Sequence, residues 1–501
     1  MPDYDVLICG FGPVGQLLAV MLGDAGVRTL AVERADEPYP LPRAAVVDDE
    51  VLRIFQSVGL DEAILAGAQI QPRASIVTAD GQAVDVLRAQ TGRLGHPPLV
   101  SINQPSMERT LIAAAAERDS VDVRWGVALE VLDRRADHVA VQLRPSAGGL
   151  SETVTASWVI GCDGGGSSVR ARLGIAFPGT TAAQRWIVVD ALVDRPLRKV
   201  PHPHFVGSRE QPAVTLPMSP GRHRWEWMLR PGQDAAPFLE PDAVRRAIEV
   251  WLDGETVEIE RAVVYTFHTR MAARWRQGRV LLAGDAAHVM PPFAGQGFSS
   301  GARDAANLAW KLAAVLGGAP DTLLDTYERE RRPHVAAMQR LANTLGGFVQ
   351  ATSERKIRAR DRWLKAIDGT RVQAVLAGNI KPLPTYGAGA FATRPARLPF
   401  RRTVGSLFPQ TDRHDDRLGS GWSAVATDDL AAARLAATGL TTVDAGADGA
   451  WLEKRGLTWA ILRPDRFVYA AGTGSDLEGA CRAWRRAGLT GAGDRPGAVA
   501  A

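Results

Sequence analysis

Cysteine is scarce: only Cys9, Cys162 and Cys481 occur in 501 residues, with no paired spacing. That excludes a disulfide framework or a zinc knuckle, implies no metal site, and points to a reducing cytoplasm. Long apolar runs are missing too. No uninterrupted stretch reaches the roughly 20 residues a membrane-spanning helix needs, and the N-terminus has no basic leader, so neither a membrane nor a targeting role is expected. Charge of one sign is also in short supply. The 59 basic and 55 acidic residues leave a net +4, and the arginines are scattered or accompanied by acids, which argues against nucleic-acid binding. Internal repeats are lacking as well. At 46% hydrophobic and 23% charged residues, the composition is that of a soluble globular chain with two or three sizeable cores.

The stretch that organises the rest lies at the start. Tyr4-Asp5-Val6-Leu7-Ile8-Cys9 reads as a buried parallel strand, Gly10-Phe11-Gly12-Pro13-Val14-Gly15 as a glycine turn, and Gln16 to Ala25 as a helix. A second strand, Arg28 to Val32, then ends in Glu33. The spacing fits a dinucleotide site: Gly10 makes the turn, Gly12 admits a pyrophosphate, Gly15 packs helix on strand, and Glu33 holds a ribose hydroxyl. The helix N-terminus would face the pyrophosphate. By itself this motif does not separate FAD from NAD(P).

Further along, a Pro-rich loop at 38–42 leads to Arg43, read either as a surface partner of Asp48 or Asp49 or as a cation near a ligand. Residues 74–102 alternate as a hairpin, Gln104 opens a helix through Ala116, and strands follow over 121–126, 128–133 and 138–143. Trp158 to Asp163 is an apolar strand ending in Asp-Gly-Gly-Gly-Ser-Ser-Val-Arg. Residues 184–268 are β-rich, and His204, Trp227 and Phe293 are candidates for substrate-pocket walls, each also plausible as packing. Val280 to Asp285 delivers a carboxylate at a strand end, where α/β sheets bind ligands, and a turn through Gly295-Gln296-Gly297 starts a helix to about Gly317. His288 reads as a structural histidine rather than a catalytic base. The division expected is a discontinuous nucleotide domain (1–73, 103–183, 269–350), a β-rich substrate domain (74–102, 184–268), a helix and linker (351–399), a small α/β domain (400–490) and a Gly/Ala/Pro-rich, disordered tail (491–501).

Three separated motifs, GFGPVG, CDGGGSSVR and LAGDAAHVMPPFAGQG, stand in the order of the class A FAD-dependent aromatic hydroxylases, and the chain resembles that family over most of its length. Pro42-Arg43-Ala44, Gln184 to Asp190, Asp325 to Arg332 and Arg463 to Val468 place it nearest the 3-(3-hydroxyphenyl)propionate hydroxylase group. The resemblance implies an α/β fold: a Rossmann-like FAD-binding domain with an interleaved β-rich substrate domain, plus a thioredoxin-like C-terminal domain that here lacks Cys-x-x-Cys. It implies FAD held by Gly10, Gly12, Pro13, Val14, Gly15, Glu33 and Arg34, with Arg43, Gln104, Val127 and Asp163 beside it. Asp285 would bind a ribityl hydroxyl and Gly295, Gln296 and Gly297 would lie against the isoalloxazine, with Gly284 and Pro292 also on the cofactor. Phe298-Ser299-Ser300 departs from the family's Tyr-Asn-Ser. The implied reaction takes NADH or NADPH and O2 through a flavin C4a-hydroperoxide to hydroxylate a phenol, most simply a phenolic acid; a polycyclic or polyketide phenol and a flavin-binding redox sensor are the alternatives. A flavin halogenase is disfavoured, because Trp225 to Pro231 misses the Trp-x-Trp-x-Ile-Pro spacing. No catalytic base is named, and a homodimer is left open.

Overall fold

The computed structural model describes residues 1–88, 92–252, 254–379, 381, 384–393 and 402–489. The expected tail at 491–501 and the end of the Gly/Pro-rich linker, 394–399, lie outside them.

The strand Tyr4–Cys9 lies near the middle of a mainly parallel sheet. It pairs with Thr29–Val32 on one side and Glu152–Gly161 on the other, and Val121–Arg124 and Val280–Leu282 continue the parallel pairing outward. Val6, Leu7 and Ile8 are fully buried because helices cover such a sheet on both faces, which is why the run is apolar throughout rather than alternating. The helix Pro13–Asp24 has Pro13 in its first turn, where the missing N–H costs nothing. It packs against Gly297–Leu316, and Gly301 permits the approach: a Cβ there would stand 2.5 Å from Val14 Cγ2. Two antiparallel strands, Val127–Arg134 and Val139–Pro145, extend this sheet through Glu152–Gly161.

A second eight-stranded sheet joins Arg73–Val77 and Ala83–Arg88 to Gly179–Val193, His204–Val206, Ala213–Pro217, Arg222–Met228, Val257–Met271 and His288–Val289. The hairpin enters by parallel pairing of Ser75, Ile76 and Val77 with His204, Phe205 and Val206. Its two long strands run beyond the expected limits of 184 and 268, bending through register shifts at Thr181/Arg185 and Asp190/Ala191. One face packs on the helices at 236–239 and 241–249 through Ile187, Val189, Trp225 and Trp227. The other carries Trp186, Val214, Leu216 and Met228, and meets Phe293 and Val349.

Residues 402–489 contain a four-stranded sheet in the order 441–444, 423–426, 459–462, 468–472, with helices at 429–436 and 477–486. Its tryptophans Trp422, Trp459 and Trp484 share a core with Trp310 of the helix Gly297–Leu316. A buried ionic knot reinforces the junction. Glu330 accepts from Arg463, Lys311, Asn307 and the Ala390 amide, while Arg463 also grips Asp465. A second tie runs from Arg53 to Asp415, which Arg466 also contacts. Among the described residues no helix is long and apolar enough to cross a membrane.

Candidate active site

A cavity of about 1330 Å³ runs from the C-terminal ends of the parallel strands to the inner face of the second sheet. Its first part is the glycine turn. Gly10 has φ +98°, and a Cβ on it would stand 2.6 Å from the Cys162 carbonyl; a Cβ on Gly15 would collide with the Gly10 carbonyl oxygen. Those two glycines are needed by the protein itself. Gly12 is different, because no protein atom lies within 4 Å of where its Cβ would stand. The open side faces the cavity at the N-terminus of Pro13–Asp24, where free amides attract a phosphate. Glu33 lies on the wall with its carboxylate accepting from the Phe11 and Ala35 amides at 2.9 and 3.1 Å.

The middle of the cavity is built by three turns. Asp163 accepts from the Ser168 and Val169 amides at 2.6 and 3.0 Å and from both serine hydroxyls, so its charge is spent on the start of Ser168–Arg172. Ser167 caps that helix through the Arg170 amide. Ser167→Ala is expected to cost about 1 kcal/mol, read from the midpoint of urea unfolding. Arg170 crosses to the Ala286 carbonyl at 2.8 Å and fixes the turn that carries Asp285. Asp285 projects into the cavity, accessible from within it but walled by protein, and burial pushes its carboxyl above the usual range. Beyond it, Gly295 has φ +62° with Val46 where a Cβ would go, and Gly297 begins the helix to Leu316.

At the far end the cavity widens into a chamber lined by Ile76, Val86, Phe205, Val214, Leu216 and Phe293, with Leu341 and Leu345 from the helix Asp325–Val349. Arg224 and Glu226 are the charged residues that the strand Arg222–Met228 contributes to the lining. Asp190 binds Arg224 and Arg261 together, and the two guanidiniums donate to the carbonyls of Pro42 and Arg43, clasping that loop to the sheet.

A family described as an FAD binding domain matches residues 3–342. The chain is 37% identical over 434 residues, 84% of its own length and 76% of the relative's, to a 3-(3-hydroxyphenyl)propionate/3-hydroxycinnamic acid hydroxylase of Mycolicibacterium smegmatis. It belongs to the FAD-dependent aromatic hydroxylases. Among solved structures, an anhydrotetracycline hydroxylase from Streptomyces rimosus is similar at TM-score 0.76 and 29% identity, covering 96% of this chain and 98% of that one. The aklavinone-11 hydroxylase with FAD and aklavinone shares the fold at TM-score 0.76 and 24% identity, covering 99% of this chain and 100% of that one.

The residues present fit the flavin cofactor of such a hydroxylase: an open glycine at a helix N-terminus, an acid one strand away, and a second glycine turn at another helix start. Gly10, Gly12, Pro13, Val14, Glu33, Arg34, Arg43, Gln104, Val127, Asp163, Asp285, Pro292, Gly295, Gln296 and Gly297 all line the cavity. Gly15 and Gly284 lie behind it; both sit in close packing, Gly284 against Val14, and serve the turns rather than the wall. Gln104 turns its carbonyl oxygen to the Arg43 and Ala44 amides, 3.0 and 2.5 Å away, so it holds that loop. Arg43 makes no ion pair with Asp48 or Asp49; its guanidinium lies 4.4 Å over the Tyr39 ring.

Two expected pocket residues are displaced. His204 and Trp227 do not line the cavity, because side chains alternate along a strand and their neighbours Phe205 and Glu226 take the inner positions. Trp227 packs toward the helices at 236–249, and His204 contacts His202. Phe293 does reach the chamber and meets Trp186 edge to face at 5.3 Å. His288 is buried beside Trp275 with Nε2 2.6 Å from Asp304, whose carboxylate also accepts from the Gly284 amide, so it braces the Asp285 turn. At the family departure, Phe298 stacks on Phe55, and the small Ser299 and Ser300 are fully buried.

The acidic run that begins at Asp48, considered in the sequence only for a partner of Arg43, forms a buried cluster against the Gln296 turn. Asp48 and Glu50 bind Arg303 and Lys381, and Gln296 donates to Asp48 at 3.0 Å. Burial opposes the charge on Asp48, but Arg303 and Lys381 outweigh it and hold that carboxyl far below the usual range. Three consecutive acids opening an otherwise apolar helix were the available signal.

Proposed function

We propose that this hydroxylase takes reducing equivalents from NADH or NADPH and inserts one atom of O2 into a phenolic ring, with a 3-(3-hydroxyphenyl)propionate-like phenolic acid as first candidate. The observation that carries this reading is the continuity of one cavity from the open Gly12 turn to an aromatic-walled chamber. FAD, when bound, supplies the redox chemistry that activates oxygen. The protein supplies position and dryness. Gly12 and the helix behind it would receive the pyrophosphate, Glu33 a ribose hydroxyl, and Asp285 a hydroxyl of the ribityl chain. The N-terminal amides of Gly297–Leu316 would favour negative charge at the adjoining ring edge. Phe205, Val214, Leu216 and Phe293 exclude water and fix the plane of the aromatic substrate.

The size of the cavity and the likeness to the anhydrotetracycline hydroxylase favour a second substrate class, a polycyclic phenol. A homodimer is the assembly proposed for test by size-exclusion chromatography with light scattering. For the activity, the purified yellow protein should be given a panel of phenols and scored separately for NAD(P)H oxidation and for product heavier by one oxygen. A phenol that accelerates both supports the reading; NAD(P)H oxidation without oxygenated product for every phenol tested would refute it.

A further inference from the structure

Glu226 stands out among the residues of the chamber. Its strand alternates, so Arg224, Glu226 and Met228 share the inner face, and Glu226 sits between Val188 and Val214 on the flanking strands. It is 7% exposed and lines the cavity, yet its carboxylate makes no hydrogen bond among the described residues. A buried carboxyl that accepts no hydrogen bond is expensive, and such groups persist where a ligand supplies the donor. The nearest cation is Arg224, whose Nη1 is 3.9 Å from Glu226 Oε1. That guanidinium is already engaged by Asp190 and by the Pro42 and Arg43 carbonyls.

We propose that Glu226 is the base that accepts the hydroxyl proton of the bound phenol, an assignment that rests on the aromatic-hydroxylation reading above. The substrate's O–H bond breaks, an O–H bond forms on a Glu226 carboxylate oxygen, and the electron pair stays on the phenolate oxygen, where it enriches the ortho and para carbons. The proton returns to oxygen when the product leaves as a neutral phenol. Charge balance in the chamber favours this exchange. Arg224 and Arg261 face a single Asp190, which leaves one positive charge for Glu226 before transfer and for the phenolate after it, so no new buried charge is created. Burial raises the Glu226 carboxyl, with Asp190 pushing in the same direction and Arg224 and Arg261 opposing, which narrows the gap to a phenol ionising near pH 10. The same geometry sets orientation. A substrate enters hydroxyl first toward the sheet, and any carboxylate it carries points away from Glu226.

The test uses the FAD-loaded protein, 3-(3-hydroxyphenyl)propionate and its uncharged counterpart 3-propylphenol, with Glu226→Gln and Glu226→Asp. Glu226→Gln should keep its flavin content and lower kcat on the better of the two phenols by about 100-fold, with Glu226→Asp between it and the parent. The ultraviolet difference spectrum of phenol bound to the oxidised protein should show a phenolate band that Glu226→Gln loses. The parent's kcat should fall as pH drops through the raised carboxyl value, and Glu226→Gln should lose that acidic limb. Parent-like turnover with an unchanged pH profile in Glu226→Gln overturns the assignment while leaving the hydroxylase reading intact. Absence of oxygenated product from the parent with either phenol, together with no phenolate band, overturns it as well.

Discussion

Glu330→Ala should cost about 3–5 kcal/mol of unfolding free energy, the largest loss expected from a single side chain here. Five donors converge on this one carboxylate: both terminal nitrogens of Arg463, the Lys311 ammonium, the Asn307 amide and the Ala390 backbone. Glu330, Lys311 and Arg463 are all fully excluded from solvent. Removing the acid strands two buried cations with only Asp465 to share. Burial works against the Glu330 charge, but Arg463 and Lys311 prevail and pull its carboxyl down to about 2. Lys311 gains less from the same contact: burial and the neighbouring Arg463 outweigh Glu330 and push its ammonium down to about 8. The bidentate arginine is therefore the stronger partner. The sign of the pH effect follows. Because the folded value is below the ordinary 4.5, the contribution is fully present above about pH 4.5 and is lost as pH falls toward 2. Urea unfolding at pH 7 and pH 3 checks both statements. A loss under about 1 kcal/mol at pH 7 would show that the knot is not what joins these segments.

The second large effect separates two kinds of glycine. Gly12→Ala should fold with unchanged stability and bind FAD on the order of 100-fold more weakly, since only a ligand occupies the space its methyl would take. Gly10→Ala should lose both flavin and stability, because the new methyl meets the Cys162 backbone and the residue must hold φ +98°. Flavin fluorescence titration beside thermal melting of the flavin-free proteins distinguishes them. Equal destabilisation by both substitutions would mean that the turn is an ordinary packed corner.

The parts of this arrangement that were legible in sequence are those governed by short-range rules. Strand, glycine turn, helix and acid follow one another within thirty residues, and the Asp285 and Gly295–Gly297 turns sit where an apolar strand stops. Other parts depend on contacts that no local spacing encodes. Lys381 falls in a stretch that reads as linker, yet it reaches three acids more than 330 positions earlier. Glu330 and Arg463 meet across 133 positions. His204 and Trp227 fail for a different reason. The β-rich stretch over 184–268 is legible but the phase of its individual strands is not, and a shift of one residue exchanges one face of the sheet for the other. Glu226 is hidden in the same way, a single acid between two tryptophans of the core.

The clasp formed by Asp190, Arg224 and Arg261 holds carbonyl oxygens of Pro42 and Arg43, atoms that every amino acid possesses. Position 42 can therefore be varied to retune a redesigned catalyst while the path of the loop is retained, whereas the Arg43 side chain belongs to the cofactor wall. The reverse freedom does not exist: altering any one of the three ionic residues would release the segment, so a library aimed at new substrates should randomise what is held and spare what holds it.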